Sequence, residues 1–349
     1  MKYSMFKNIT VTFVIMFAAT NLVFAQLNPN NLVQFTEIDG VPGAQVSKIL
    51  IDKFGYVWIG TINGLARYDG YEFKRFYNDP NDTNSIKGLI IWSLFEDSKG
   101  RIWIASSPEN LNLYDQVSKS FLHYEFKHLI DRPANVEIGI SNICEDNKGR
   151  IYFGVNAGYN EPISSSLLYF DEAAKKVKKY IFPDRLGIRN IYGLKNDNKG
   201  NVYFFCSIGL FKIDTERNLS RVQVTIIELE KTGEYLTDFL CDANGHIWAV
   251  TNKLRLVDLD PVSGNYKIFA SNDFNTRDYD ENNWNVLEID NAGKIYIGSG
   301  NGILYFDRRG EKFVGFNDQQ KNPIKNEIIR DLKLDSFGSL WIGTSFGGL

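Results

Sequence analysis

The chain has 349 residues, of which 39 are Lys or Arg and 42 are Asp or Glu, and its formal net charge is −3. Neither sign forms a long run, so the sequence does not support a nucleic-acid partner. After the amino terminus no stretch approaches the ~20 apolar residues that a spanning helix needs, and no membrane span is predicted there.

Residues 1–25 have the pattern of a secretory signal peptide. Lys2 and Lys7 give a positive start, an apolar stretch follows, and Ala25 is the small residue that a signal peptidase accepts. We therefore expect the mature chain to begin near Gln26 and to reside in the periplasm. A retained amino-terminal anchor is the alternative.

The chain has three cysteines, which is an odd number for an oxidising compartment. Cys144, Cys206 and Cys241 fall in predicted strands and lack metal-ligand spacing. We expect buried free thiols, and neither a metal nor a cofactor.

A short motif recurs seven times at intervals of 45 to 51 residues: Asp, then Gly three residues later, then Trp or Tyr three residues after that. This period is close to that of one four-stranded propeller blade. The Asp is predicted to cap the amides of a turn in which Gly takes the left-handed conformation. The acidic positions are Asp52, Asp97, Asp146, Asp197, Asp242, Asp290 and Asp335, and the glycines are Gly55, Gly100, Gly149, Gly200, Gly245, Gly293 and Gly338.

The first repeat predicts four antiparallel strands. Val46–Ile51 and residues 56–61 flank the Asp/Gly turn, a third strand follows Asn63-Gly64, and Asp69-Gly70 turns the chain into a fourth strand at residues 72–77. Both faces of the second strand are apolar, as expected for a sheet packed between two others. The prediction for residues 26–349 is an all-β, seven-bladed β-propeller of four-stranded antiparallel blades.

The seventh repeat ends at Leu349, where its third strand should start. Residues 31–37 are strand-like and could supply the outer strand of the last blade, which still leaves one strand missing. Our interpretation is that the last blade is incomplete, because the chain is a piece of a longer protein or a reading frame that ends early.

Residues 51–70, Ile-Asp-Lys-Phe-Gly-Tyr-Val-Trp-Ile-Gly-Thr-Ile-Asn-Gly-Leu-Ala-Arg-Tyr-Asp-Gly, resemble the two-component regulator propeller repeat. Residues 78–86 are similar to the usual connector between its first two blades. The likeness covers nearly all of the mature chain. It is strongest in the first, second and seventh units, and weaker in the third to fifth, where Phe205 and Val250 replace a typical Gly.

This resemblance implies the amino-terminal periplasmic sensor of a hybrid two-component system histidine kinase that controls carbohydrate utilisation. In that family a second propeller, an immunoglobulin-like domain, a membrane span and a kinase follow. The chain carries none of these sequences, so we expect it to sense or to support a homodimer of the full receptor, and not to be an enzyme.

Several motifs resemble catalytic or ligand-binding motifs, but the propeller repeat accounts for them better. Ser345 lies in a Gly-x-Ser-x-Gly sequence, but a nucleophile elbow needs a following helix, and a hairpin is predicted here. Residues 298–302 are rich in glycine and precede a strand, not the helix that a phosphate site requires. The seven Asp residues are spread one per blade, so they cannot converge on one calcium ion.

One repeat position varies in size and polarity, whereas repeat packing favours similar residues. It lies just inside the start of each first strand, at the predicted mouth of the central channel, and such a variable ring could give specificity for a ligand. A solvated channel mouth without a ligand is the alternative. The ring consists of Ser47, Trp92, Ser141, Tyr192, Thr237, Asn285 and Arg330.

Neighbouring connectors contain amides, arginines and aromatic residues, which suit the hydroxyls and ring faces of a carbohydrate. They are Arg189 with Asn190, residues 272–283, and the enlarged hairpin 156–166. We therefore expect an oligosaccharide or polysaccharide fragment as the ligand. The alternatives are a propeller enzyme, either a lyase or a glycan hydrolase, and a purely structural dimerisation module.

Overall fold

Each repeat folds into an antiparallel sheet whose strands follow one another in chain order. In this computed structural model, the described residues contain 26 strands in six four-stranded sheets and one two-stranded sheet. The structure describes residues 32–133, 135–157, 167–183, 187–188, 190–197, 199–206, 208–222, 234–270, 285–315, 324 and 327–349.

The six four-stranded sheets are called blades 1 to 6. Blade 1 comprises β1 (Val46–Ile51), β2 (Val57–Thr61), β3 (Gly64–Tyr68) and β4 (Phe73–Phe76). Blade 2 comprises β5 (Ile90–Glu96), β6 (Ile102–Ser107), β7 (Asn110–Asp115) and β8 (Ser120–Tyr124). Blade 3 comprises β9 (Gly139–Glu145), β10 (Ile151–Asn156), β11 (Leu167–Asp171) and β12 (Lys176–Lys179).

Blade 4 comprises β13 (Ile191–Asn196), β14 (Val202–Cys206), β15 (Gly209–Ile213) and β16 (Leu219–Arg221). Blade 5 comprises β17 (Leu236–Cys241), β18 (Ile247–Thr251), β19 (Leu256–Leu259) and β20 (Tyr266–Phe269). Blade 6 comprises β21 (Val286–Ile289), β22 (Ile295–Ser299), β23 (Gly302–Asp307) and β24 (Lys312–Gly315). The seventh sheet has β25 (Ile329–Leu334) and β26 (Leu340–Thr344), and a short 3₁₀ helix spans Lys127–Leu129.

The first strand of each sheet is its inner strand. Each inner strand contacts the inner strand of the next sheet, in the order β1, β5, β9, β13, β17, β21 and β25, and both β25 and β26 contact β1. The series of sheets therefore returns to its start within the compact unit Val33–Leu349, and this is a β-propeller. We call the end where the inner strands begin the mouth face, and the end that carries the Asp/Gly turns the turn face.

The repeated motif has a hydrogen-bonding explanation, seen clearly in blade 1. Asp52 Oδ1 accepts hydrogen bonds from the backbone N–H groups of Phe54 and Tyr56, both at 3.0 Å. Its Oδ2 accepts one from Trp58 Nε1 at 2.8 Å. Gly55 has a φ of +86°, which favours glycine. The Asp thus closes the turn and also holds the buried indole.

The other repeats use the same bonds with small variations. The indole nitrogens of Trp103, Trp248 and Trp341 lie 2.9, 3.2 and 3.1 Å from the equivalent Asp oxygens. In blade 6 the hydroxyl of Tyr296 takes this place, at 3.3 Å from Asp290 Oδ2. In these repeats the ring of Trp or Tyr carries a donor for the Asp, whereas in blade 4 Asn201 bonds to Asp197 in place of Tyr203.

These rings also join neighbouring blades. The Trp58 ring lies 5.6 Å from Phe76 of its own blade and 5.2 Å from Tyr114 of blade 2, measured between centroids. Phe121 completes the group at 4.9 Å from Tyr114. Each blade thus buries both faces against its neighbours, as the apolar strands predicted.

The predicted outer strand from residues 31–37 is only partly present. The described residues of this segment do not form an assigned strand, although Phe35 exchanges two backbone hydrogen bonds with Leu349. A prediction about the cysteines also needs correction, because Cys144 and Cys206 are buried free thiols whereas Cys241 is partly exposed. Residues 1–25 lie outside the described part of the chain. Among the described residues, no helix has both the length and the apolar character needed to cross a bilayer.

Candidate functional site

The variable ring at the mouth face coincides with a series of β-bulges. The pairing between first and second strands skips one residue in blades 1 to 5 and in the seventh sheet. A bulge leaves its residue outside the regular ladder and changes the direction of its side chain. The skipped residues are Ser47, Trp92, Ser141, Tyr192, Thr237 and Arg330.

The sequence contained a signal for these bulges. The apolar residues that flank each ring position are three apart, as in Val46 and Ile49, and both of these are buried. In a regular strand, residues three apart point to opposite faces. Their spacing therefore requires one extra residue between them.

Hydroxyl groups in the ring connect neighbouring blades. Ser47 Oγ donates to the carbonyl oxygen of Ile91 in blade 2. Ser141 Oγ donates to that of Ile191 at 3.1 Å, and Thr237 Oγ1 to that of Asn285 at 2.9 Å. These side chains have a structural partner at the start of the next inner strand.

Two further ring members are engaged within the fold. Asn285 is only 1% exposed and donates through Nδ2 to the carbonyl oxygen of Thr251 at 2.7 Å. Tyr192 is partly buried, with its ring 6.2 Å from that of Phe205, and hydrogen-bonds the side chain of Asn190. Burial raises the pKa of Tyr192.

The connectors predicted to contribute to the site are only partly described. Asn190 is buried, and its Oδ1 accepts a hydrogen bond from the backbone of Ala157 at 3.0 Å. Arg189 and residues 272–283 lie outside the described residues, as does most of the hairpin 156–166.

Trp92 differs from the other aromatic residues of the ring and the core. It is 47% exposed. Its indole makes neither a hydrogen bond nor a ring contact with any described residue, whereas Trp58 and Trp103 at the motif position are fully buried. Trp92 therefore presents an apolar ring at the mouth face.

Arg330 has one side-chain partner in the described part of the chain. Its Nε donates to Ser345 Oγ at 2.6 Å. Ser345 is buried and lies in a bend directly after β26. The hydroxyl orients a guanidinium group and is not placed as a nucleophile.

Trp92, Ser47 and Arg330 belong to three consecutive sheets, namely blade 2, blade 1 and the seventh sheet. We call these three residues the open arc. Ser47 is small and its hydroxyl bonds to blade 2, so the ring position between the indole and the guanidinium has little bulk. The open arc combines an apolar ring with a cation.

Just beyond the ring, charged side chains link the inner strands. Asp331 accepts from Lys48 Nζ and from the backbone N–H of Ile49, both at 2.8 Å. Asp238 accepts in the same way from the N–H of Leu287 at 3.0 Å. Lys333 Nζ lies 2.7 Å from Glu288 Oε2. Burial opposes the charge of Lys333, yet Glu288 and Asp331 together raise its pKa.

One acidic group near the mouth face is neutralised by an arginine. Glu234 is held by Arg255 through two hydrogen bonds of 2.7 Å. Among the described residues there is also no group of three or more His, Cys, Asp or Glu side chains that could hold a metal ion.

A model of the two-component regulator propeller family matches residues 40–63 and 85–107. These segments contain β1 and β2 of blade 1 and β5 and β6 of blade 2. The repeats of blades 1 and 2 match the two-component regulator propeller family. The resemblance found in the sequence is thereby confirmed.

Comparison with curated proteins relates part of this regulator propeller to a histidine kinase. It is 40% identical over 81 residues to histidine kinase P4 of Formosa agariphila. The match covers 23% of the regulator propeller and 6% of the kinase.

Two solved structures share the fold. The extracellular domain of a putative hybrid two-component system from B. thetaiotaomicron superposes with a TM-score of 0.68 at 20% identity, over 90% of the regulator propeller and 41% of that domain. Virginiamycin B lyase from Staphylococcus aureus superposes with a TM-score of 0.62 at 12% identity, over 87% and 93% of the two chains. At such identities the comparisons show the fold alone.

Proposed function

We propose that the regulator propeller is the sensory module of a hybrid two-component regulator and binds an oligosaccharide or polysaccharide fragment at the open arc. The observation that carries this proposal is the contrast around the ring. Ser141, Tyr192, Thr237 and Asn285 are bonded within the fold. By contrast, Trp92 offers an exposed indole, and Arg330 offers donors that bond to no other described residue.

The chemistry of the open arc suits a sugar. An indole is a large, rigid apolar surface on which the C–H face of a pyranose can stack. A guanidinium group has five N–H donors in a fixed plane, and one of the donors of Arg330 is used by Ser345. The remaining donors can reach hydroxyl or anionic oxygens of the same ligand.

The proposal includes a seven-bladed ring. The seventh sheet contacts blade 1 through β25 and β26, and its inner strand contacts that of blade 6. The bulge at Arg330 repeats that of blades 1 to 5, and the bond between Trp341 and Asp335 repeats that of blades 1, 2 and 5. We propose that this sheet is the seventh blade with its outer half incomplete.

In this proposal, ligand binding signals by changing how two paired receptors pack against each other. We place the module in the periplasm, secreted by the predicted signal peptide, within a homodimeric receptor whose catalytic domains are other parts of the protein. A ligand that binds one arrangement of the paired receptors more tightly shifts the population towards it. The propeller itself would carry out no reaction.

Isothermal titration calorimetry with a panel of oligosaccharides tests the binding proposal. We expect at least one glycan to bind the full chain, and Trp92→Ala to weaken that binding at least about 10-fold, as for an aromatic residue central to an interface. Phe337→Ala is the matched control, since Phe337 is a 91% exposed aromatic residue on the turn face. It should leave affinity unchanged.

Two results would refute the proposal. One is the absence of heat with every glycan, which favours a structural module. The other is equal affinity of wild type and Trp92→Ala, which places the site elsewhere. Incubation of the protein with the bound glycan, followed by mass spectrometry, tests the alternative that the propeller is an enzyme. Only an enzyme would yield shorter or modified products.

A further inference from the structure

Arg330 is a half-buried guanidinium without a carboxylate partner among the described residues. Desolvation lowers the pKa of Arg330, and no acidic group in the described part of the chain counteracts it. Glu327 is the nearest acidic residue before it in sequence, and the two do not form an ion pair within 4.0 Å. Asp331, the next residue in the chain, is bonded to Lys48 and to the backbone of Ile49.

Several other partly buried arginines among the described residues are neutralised, whereas Arg67 has no ion pair there and stacks on the rings of Tyr56 and Trp58. Arg101 bonds to Asp97 and Glu172, and Arg255 bonds to Glu234 through both oxygens. The same holds for Arg150 with Asp146 and for Arg308 with Asp242. A desolvated cation without a counter-charge costs free energy unless an anion binds it.

The guanidinium is also oriented for such an anion. Arg330 occupies the bulge of β25, and its Nε is fixed by the buried hydroxyl of Ser345 at 2.6 Å. Nη1 and Nη2 make no hydrogen bond to any described residue. Two parallel N–H groups of this kind match the two oxygens of a carboxylate or of a sulfate ester.

We infer that the ligand of the open arc is an acidic saccharide, whose carboxylate or sulfate ester is bound by the two Nη groups of Arg330 while a sugar ring stacks on Trp92. This inference rests on the proposed function and adds the charge of the ligand to it. The ring position between the two residues holds Ser47, a small side chain whose hydroxyl bonds to blade 2.

Calorimetry with matched pairs of ligands tests the inference. Oligouronides are compared with their carboxyl-reduced neutral forms, and sulfated oligosaccharides with their desulfated forms, on the full chain. We expect one acidic series to bind, and its neutral counterpart to bind about 10- to 100-fold more weakly, as for the loss of a charged hydrogen-bonded contact. The two series distinguish a carboxylate from a sulfate ester.

Arg330→Gln should remove the preference, so that the acidic and neutral forms bind with equal affinity. Arg309→Gln is the control, because it makes the same charge change at an exposed position on the turn face. It should have no effect. If circular dichroism shows that Arg330→Gln is unfolded, Arg330→Lys is the second variant. It keeps the charge but loses the paired donors, and it should weaken the acidic ligand more than the neutral one.

The outcomes separate the inference from the proposed function. Equal binding of acidic and neutral glycans, with Arg330→Gln equal to wild type and Trp92→Ala impaired, would overturn the inference and retain glycan sensing. An acidic preference that survives in both Arg330 variants would also overturn it. Absence of binding by every glycan would refute both.

Discussion

Phe35 and Leu349 exchange two backbone hydrogen bonds, of 2.8 and 3.0 Å, from opposite ends of the described chain. In blade 1 the corresponding pair is Leu65 on β3 and Phe76 on β4. Phe35 thus occupies the place of a fourth-strand residue in the seventh sheet. Its ring is nearly parallel to that of Trp341, at 6.3 Å, as that of Phe76 is to Trp58 at 5.6 Å.

This contact closes the ring of sheets, and its loss should destabilise the fold. Phe35 also packs on Tyr68 and Phe73 of blade 1, with centroids 5.1 and 5.4 Å apart. We expect Phe35→Ala to lower the free energy of unfolding by about 2–3 kcal/mol, below the full cost for a buried Phe because Phe35 is partly exposed. Urea denaturation followed by fluorescence measures it.

Val33→Ala is the control for this variant, because Val33 lies in the same segment and is 69% exposed. Its effect should stay within about 0.5 kcal/mol. Equal stabilities of Phe35→Ala and wild type would show that the segment does not hold the ring closed.

The polar bond of the repeated motif can be tested with two tyrosines that occupy the same repeat position. Tyr296 and Tyr203 are both 3% exposed, but only the hydroxyl of Tyr296 bonds to its Asp, whereas Asn201 bonds to Asp197 in the other repeat. Tyr296→Phe should cost about 0.5–1.5 kcal/mol of unfolding free energy. Tyr203→Phe should cost less, and thermal and urea unfolding of both variants checks this order. Equal costs would contradict it.

The charged contacts between inner strands should contribute more to the free energy of unfolding than ion pairs on the surface. Asp331 is buried and bonded to Lys48 and to the N–H of Ile49, so Asp331→Asn should destabilise the fold by about 1–3 kcal/mol. Glu311→Gln removes an exposed pair with Lys267 and should cost less than about 1 kcal/mol. Chemical unfolding compares the two. A larger loss for Glu311→Gln would invert the expected order.

His246 provides a prediction for the effect of pH. Its Nδ1 lies 2.6 Å from Asp258 Oδ1, and this hydrogen bond raises the pKa of His246 above its ordinary 6.5. Because the folded-state pKa is raised, the pair stabilises the fold fully below pH 6.5, and this contribution is lost as the pH rises through the folded pKa. An NMR titration of the ring should show a midpoint above 6.5.

Asp258→Asn should move that midpoint down, since the carboxylate is removed. Thermal unfolding should show a larger loss for this variant below pH 6.5 than well above the folded pKa. A wild-type midpoint at or below 6.5, or the same midpoint in both proteins, would contradict the pairing.

Much of the fold follows from the sequence because the repeat fixes both turns and faces. The Asp/Gly spacing placed β1 at Val46–Ile51, as observed, and the apolar faces of β2 predicted packing on both sides. The hydrogen bond from Trp58 Nε1 to Asp52 explains why an Asp and an aromatic residue recur at this fixed spacing. Closure through Phe35 was predicted only in part, since a single pair of residues does not form a recognisable strand pattern.

The site was harder to predict than the fold. The ring positions were identified from their variability, but sequence cannot show which members are bonded within the fold. Thr237 and Asn285 are buried by contacts between blades, whereas Trp92 remains exposed. Ser345, the partner of Arg330, was recognisable in the sequence only as the central residue of a Gly-x-Ser-x-Gly motif, which does not predict this hydrogen bond.

A crystal structure of the chain with a bound acidic oligosaccharide tests the account most directly. We expect ligand density across the open arc, with a sugar ring on the indole of Trp92 and a carboxylate or sulfate within hydrogen-bond distance of Nη1 and Nη2 of Arg330. Ligand density on the turn face or between the outer strands, with the open arc unchanged, would contradict it.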